Sequence, residues 1–106
     1  MNKKFIVRKN EEIQEIIKSN KKIISKYFVI YYVENNLNYN RFCISVGKKI
    51  GKAHTRNLYK RRIKDILMKN NINSSYDYVI ILRTAIIGVP YDKLNIELIK
   101  VLKGEK

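Results

Sequence analysis

The chain has 106 residues, 23 Lys and Arg against 9 Asp and Glu, and a formal net charge of +14. A hydrophobic content of 45% supports one packed domain over 1–106 and excludes wholesale disorder. The lone Cys43 excludes an internal disulfide, and with the lone His54 it cannot build a tetrahedral zinc site, whereas the charge calls for a polyanionic partner, nucleic acid before an anionic membrane.

Met1 to Lys9 is basic but holds no sustained apolar stretch, so it does not read as a signal peptide. No run approaches the ~18 apolar residues of a spanning helix, and a cytoplasmic protein with no membrane partner is expected. A further strand near residues 5–7 stays open. Asn10 to Lys18 predicts a short amphipathic helix. Asn10 is its expected N-cap, Glu11 and Glu12 suit the positive dipole end, and Ile13, Ile16 and Ile17 form one apolar face. Tyr27 to Val33, β-branched and aromatic, predicts a strand. Glu34 to Asn40 is an Asn-rich turn. Arg41 to Val46 predicts a second strand, expected antiparallel to the first because the connection is short.

Gly47 to Lys52 is a glycine-punctuated basic loop. It is no nucleotide-binding P-loop, since three residues separate Gly47 from Gly51 and Ala53 follows Lys52. From Ala53 to about Met68 the pattern is helical. Asn70 to Tyr76 reads as a polar turn, and Asp77 to Arg83 as a strand whose unbroken apolar run suits a central place covered on both faces. Pro90 opens a last helix with Leu94, Leu98, Val101 and Leu102 on one face. The order α-β-β-α-β-α predicts an α+β domain with a small mixed or antiparallel sheet. Were the second and third strands parallel neighbours, general statistics favour a right-handed crossover.

The charge is focused. Residues 41–69 carry ten Lys and Arg against Asp65 alone, and residues 1–26 hold a smaller excess of +5. On a helical wheel Tyr59, Ile63, Ile66 and Leu67 share the buried face of the second helix. Lys64, Asn57 and Arg61 form a polar stripe beside it, and Arg62 sits alone on the other flank. Arg56 and Lys60 fall near the buried face and reach water only if the first turns project beyond the sheet. The helix is then anchored by its C-terminal half and presents its N-terminal half. Lys48, Lys49 and Lys52 join it from the loop, where Gly47 and Gly51 let the backbone approach a phosphate. Arg supplies bidentate phosphate contacts and Lys a mobile point charge. A merely solvated charged face would mix signs at i, i+4, and this one does not. No catalytic or metal-ligating residue stands out. His54 has no relay partner, Cys43 reads as a small buried hydrophobe, and Glu11, Glu12 and Glu15 are explained by the helix dipole.

The run Arg41 to Ala53, with its Lys48-Lys49-Ile50-Gly51-Lys52-Ala53 loop, followed by Arg56-Asn57-Leu58-Tyr59-Lys60-Arg61-Arg62-Ile63-Lys64, resembles the protein subunit of bacterial ribonuclease P. Lys9 to Ile13, Tyr27 to Tyr31 and Asp77 to Ile81 resemble that family's first helix, first long strand and Asp-Tyr-hydrophobic strand. The sequence departs at Leu58, where the family's Arg-Asn-Arg triplet has a cation, and at Ile13 and Ile17, where its first helix often carries aromatics.

The resemblance implies a left-handed β-α-β crossover. It implies a part of the tRNA 5′-end endoribonuclease whose catalytic centre, with its Mg2+, lies in a large RNA, with no metal bound tightly by the protein. The basic residues Lys48, Lys49, Lys52, Arg56, Asn57, Lys60, Arg61, Arg62 and Lys64 would hold that RNA. Ile13, Ile17, Phe28 and Tyr31 would border a cleft for the 5′ leader of precursor tRNA, and Tyr27, Tyr31 and Tyr32 are its stacking candidates. No obligate protein partner is implied. A ribosomal or other structural RNA-binding protein is the alternative for this size and charge.

Overall fold

A computed structural model describes residues 3–70, 72 and 74–104. In chain order these form α1 (Asn10–Lys18), β1 (Lys22–Ile24), β2 (Phe28–Glu34), β3 (Arg41–Ser45), α2 (Ala53–Lys69), β4 (Tyr76–Leu82) and α3 (Tyr91–Lys103). Short 3-10 turns lie at Lys3–Phe5, Lys48–Ile50 and Thr84–Ile86. Between residues 5 and 7 there is no strand but a single parallel bridge, Ile6 to Phe42, and the Val7 amide donates to the Phe42 carbonyl.

The four strands make one mixed sheet in the order β1-β2-β4-β3. β4 is central, as its apolar run predicts. It is antiparallel to β2 and parallel to β3, so α2 is a crossover between parallel neighbours. β2 and β3 run in opposite directions, as expected, but they are not paired, because β4 lies between them. The Asn-rich segment bridges that gap with side chains. The buried Asn40 side chain accepts from the Tyr76 amide and the Ser74 hydroxyl and donates to the Ile72 carbonyl, and the backbone N–H of Asn35 donates to the Ser75 carbonyl. Asn36 takes a left-handed backbone, φ 57°, which Asn tolerates better than most residues.

β1 is an addition that sequence patterning missed. It pairs antiparallel with β2 through a bend at Ser25, whose hydroxyl accepts from the Phe28 amide. α1 spans the predicted residues, but Asn10 is not its cap. The Ile13 amide bonds to the Lys9 carbonyl, which sets the cap one residue earlier on Lys9, and no side chain caps it.

Side chains alternate across the sheet, and each face carries its own cluster. Under α2 and α3 lie Phe28, Ile30, Phe42, Tyr78, Ile80 and Leu82, packed against Tyr59, Ile63, Leu94 and Leu98. Under α1 lie Val79 and Val7, packed against Ile16 of that helix, with Tyr31, Cys43 and Ile81 half-buried around them. The two layers differ in extent, because α1 has 9 residues and α2 has 17. The register therefore leaves a row on the α1 face, Ile24–Val29–Ile81–Ser45, crossing the whole sheet with partial or full exposure.

A polar clasp joins α2 to α3. The Tyr91 hydroxyl donates to Asp65, Lys69 pairs with the same carboxylate, and the Asn70 amide donates to Asn95. The Tyr91 bond first, and then Lys69, hold the Asp65 carboxyl below the usual carboxylate range. A carboxyl group lowered in the folded state adds stability above its unfolded pKa of about 4, and that stability is lost as pH falls through the lower folded value. Tyr91→Phe is therefore expected to raise the Asp65 titration toward the ordinary value and to reduce stability slightly at neutral pH, with the difference vanishing in acid. NMR titration of Asp65 and melting curves across the acid range check this. An unmoved titration would show that the hydroxyl does not govern it.

Candidate nucleic-acid interface

The basic loop is held from below and open above. Ile50 is buried in the main core, while Lys48 and Lys49 on the same 3-10 turn are exposed. Gly51 is required there. Its φ is 156°, and a Cβ would sit 2.9 Å from Thr55 Cγ2. Gly47 differs from expectation, since its φ of −75° suits any residue. Space around it is open, and a Cβ there would meet nothing within 4 Å. Lys52 precedes the first turn of α2, which no side chain caps, so the positive dipole end faces out beside three lysines.

Along α2 the buried residues are Tyr59, Ile63, Ile66 and Leu67, the face read from the wheel. Lys52, Asn57 and Arg61 are exposed, and Arg56, Lys60, Arg62 and Lys64 are half-buried. Arg62 lies over the Tyr59 ring with its guanidinium carbon 5.6 Å from the centroid. The Arg56 Nε is buried without a hydrogen-bond partner in the described structure. Leu58 is 37% exposed, an apolar side chain within this cationic surface.

Beside α2 a cleft of about 380 Å³ opens between α1, β3 and β4. Its lining includes Ile13, Ile17, Cys43, Ser45, Lys60 and Ile81. Lys60 thus faces the cleft while its helix neighbours Asn57 and Arg61 face solvent, and the cationic helix and the apolar cleft share a border. Cys43 is not the plain buried hydrophobe expected. It is half-buried in the cleft wall, where desolvation pushes its thiol up and Lys60 acts in the opposite sense. Cys43 and Ser45 were missed as cleft residues. The signal that finds them is strand parity with Arg41, which faces α1.

Parity also corrects the expected cleft set. Tyr31 pairs with Val79 and lies on the α1 side, half-buried, with Lys22 Nζ 5.6 Å from its ring centroid. Phe28 pairs with Leu82 and is 0% exposed in the opposite core, so it cannot border the cleft. Three positions separate Phe28 from Tyr31, an odd step that puts them on opposite faces. Tyr32 likewise packs on the core side, with its ring 5.8 Å from Tyr76, and is no stacking platform for the cleft. Tyr27 packs edge-on to Phe28, against the same core.

One charged network fixes α1 over the sheet. Arg41 donates from Nε and Nη2 to the two oxygens of Asp77 and from Nη2 to Glu12 on α1, and the Asn35 amide also donates to Asp77. Asp77 is 5% exposed. The Asp77 bond, and then Glu12, raise the Arg41 pKa above its ordinary value. Removing one partner of a mostly buried pair leaves the other charge desolvated and uncompensated. Asp77→Ala is expected to cost about 2–4 kcal/mol, read from urea unfolding, with Glu12→Gln costing much less because Glu12 is more exposed. Equal effects would mean that Glu12, not Asp77, anchors Arg41.

Among the described residues no three His, Cys, Asp or Glu side chains cluster to hold a metal ion, and no helix is long and apolar enough to cross a membrane.

The family model for Ribonuclease P matches residues 1–105. The Ribonuclease P protein component of Mycoplasma mycoides subsp. mycoides SC is 43% identical over 110 residues, covering 100% of both chains. That of Mycoplasma capricolum subsp. capricolum is 44% identical over 110 residues with the same coverage. Among solved structures, the RNase P protein from Thermotoga maritima superposes with a TM-score of 0.89 at 29% identity, covering 95% of this chain and 97% of that one. The Staphylococcus aureus RNase P protein superposes with a TM-score of 0.82 at 30% identity, covering 93% of each.

Proposed function

The chain belongs to the ribonuclease P protein family, the protein component of the endoribonuclease that matures tRNA 5′ ends, and we propose how its surfaces divide that work. As one RNA-binding domain over 1–106, it binds the catalytic RNA through Lys48, Lys49, Lys52, Arg56, Asn57, Arg61, Arg62 and Lys64. It holds the 5′ leader of precursor tRNA in the cleft bordered by Ile13, Ile17, Cys43 and Lys60, with Tyr31 on the same face of the sheet. Its place of action is the cytoplasm, where both RNAs are made.

The observation that carries this reading is the border at Lys60, where a cationic helix meets an aliphatic cleft. Two RNAs repel each other, and a strongly basic protein between them releases counterions and lowers that repulsion. A leader of any sequence asks for backbone attraction and apolar contact with its bases, not base-edge readout. The cleft has that character, with isoleucines on α1 and Lys60 at its rim, and Tyr31 of β2 lies on the same face of the sheet. In this reading magnesium acts through the RNA partner, and the protein's own residues bind and orient the two RNAs.

Reconstitution tests the reading. Added to the cognate catalytic RNA at low magnesium, the protein is expected to raise the rate of 5′-leader cleavage. No gain would overturn it.

A further inference from the structure

The excess charge of residues 1–26 has no role in the surfaces described so far. Part of it gathers on the far side of the sheet edge. A cleft of about 730 Å³ lies between β1 and the C-terminal half of α3. Its apolar lining includes Ile23, Ile24, Tyr32 and Val101, and its cations are Lys22, Lys26 and Lys100. Among the described residues Glu97 is its one acidic lining residue. Among the described residues none of these three lysines lies within ion-pair distance of a carboxylate.

Two of the three lysines have an ordinary explanation taken singly. Lys22 blunts an exposed edge strand, and Lys100 complements the negative end of α3. Neither explains why they converge with Lys26 on one apolar-floored cleft. The cleft is also continuous with the α1 face. Lys22 lines it and places its ammonium over Tyr31 on the other side of the sheet edge. Ile24 lines it too, is 61% exposed, and ends the open row Ser45–Ile81–Val29–Ile24. That row starts at the α1 cleft, since Ser45 and Ile81 line both. Across four strands it spans about 14 Å at the usual strand spacing.

We propose that the β1–α3 cleft binds the upstream part of a long 5′ leader, as single-stranded RNA that has crossed the sheet along this row and turned over the β1 edge. This rests on the reading of the α1 cleft as the leader site. The occupant follows from charge complementarity and from continuity. Lysines flank the path where phosphates would run, and Tyr32 and Ile23 offer apolar surface to bases of any sequence. The portion of leader nearest the cleavage point stays at the β3 and α2 end, beside the catalytic RNA.

The test uses the reconstituted holoenzyme and precursor tRNAs with leaders of about 5 and about 15 nucleotides, lengths that bracket one and several groove sites. The wild-type protein is expected to bind the long-leader substrate more tightly. Lys26→Ala with Lys100→Ala, both exposed positions, is expected to lose about 3- to 10-fold on the long leader and nothing on the short one, with a salt slope lower by about 1.4 for two phosphate contacts. Glu97→Gln should shift the long-leader affinity the other way. Wild-type binding by the double variant at both lengths overturns the proposal. So does an equal loss at both lengths, which would place the lysines on the catalytic RNA. If Tyr31→Ala leaves short-leader binding unchanged, the α1 cleft reading fails and this proposal falls with it. That result is separate from any effect of the lysines.

Discussion

Replacing Lys48, Arg56 and Arg61 together by alanine is expected to weaken binding to the catalytic RNA on the order of 100-fold near physiological salt. The salt dependence should fall at the same time. Each lost phosphate contact removes about 0.9 from the slope of log affinity against log salt, so three contacts flatten it by about 2 to 3. Lys48 and Arg61 are exposed, and neither forms an ion pair among the described residues, so their loss should leave the fold intact. Arg56 is half-buried, but its Nε has no partner to lose, and a circular dichroism melt serves as the control. An unchanged slope with reduced affinity would mean that the three side chains act through the fold. An unchanged slope and affinity would place the docking surface elsewhere. Leu58→Arg tests the same surface in the opposite sense. It puts a cation at an exposed position flanked by Asn57 and Arg61, and should tighten binding about 2- to 5-fold by one added contact.

This surface was legible because its signals are local. The wheel of α2 depends only on residues four or fewer apart, and the glycine-punctuated lysine loop lies next to it in the chain. The sheet was legible in part. β4 announces its central place by apolar residues buried on both faces, Val79 toward α1 and Ile80 toward α2 and α3. Its insertion between β2 and β3 is a pairing across more than thirty residues, and no periodicity encodes it. The short β2–β3 connection suggests a hairpin, whereas its asparagines spend their hydrogen bonds on the approach to β4, at Ser74, Ser75, Tyr76 and Asp77. β1 was missed for a different reason. It has three residues, begins with Lys22, and exposes two of the three, so its composition resembles a basic loop until β2 pairs with it.

Of the residues expected to border the cleft, Ile13 and Ile17 line it, Tyr31 lies on the same face of the sheet, and Phe28 lies on the other face, which yields a sharp contrast. Phe28→Ala is expected to destabilise the fold by about 3–5 kcal/mol, the usual cost of deleting a buried phenyl ring. Phe28 is fully buried under the helices of the main core and packs edge-on to Tyr27. For a domain of this size such a loss takes a large fraction of the total stability, so the variant should melt far below the wild type. Tyr31→Ala should do the reverse. Tyr31 is half-buried on the α1 face, with Lys22 over its ring, and its removal costs less stability while weakening leader binding by about 10-fold, the loss of one stacked base. Measured below its melting temperature, folded Phe28→Ala protein should hold a short-leader substrate as well as the wild type does. A loss of leader affinity in Phe28→Ala without a loss of stability would place that ring in the cleft after all. The strand register forbids this, because Phe28 pairs with Leu82 on one face and Tyr31 pairs with Val79 on the other.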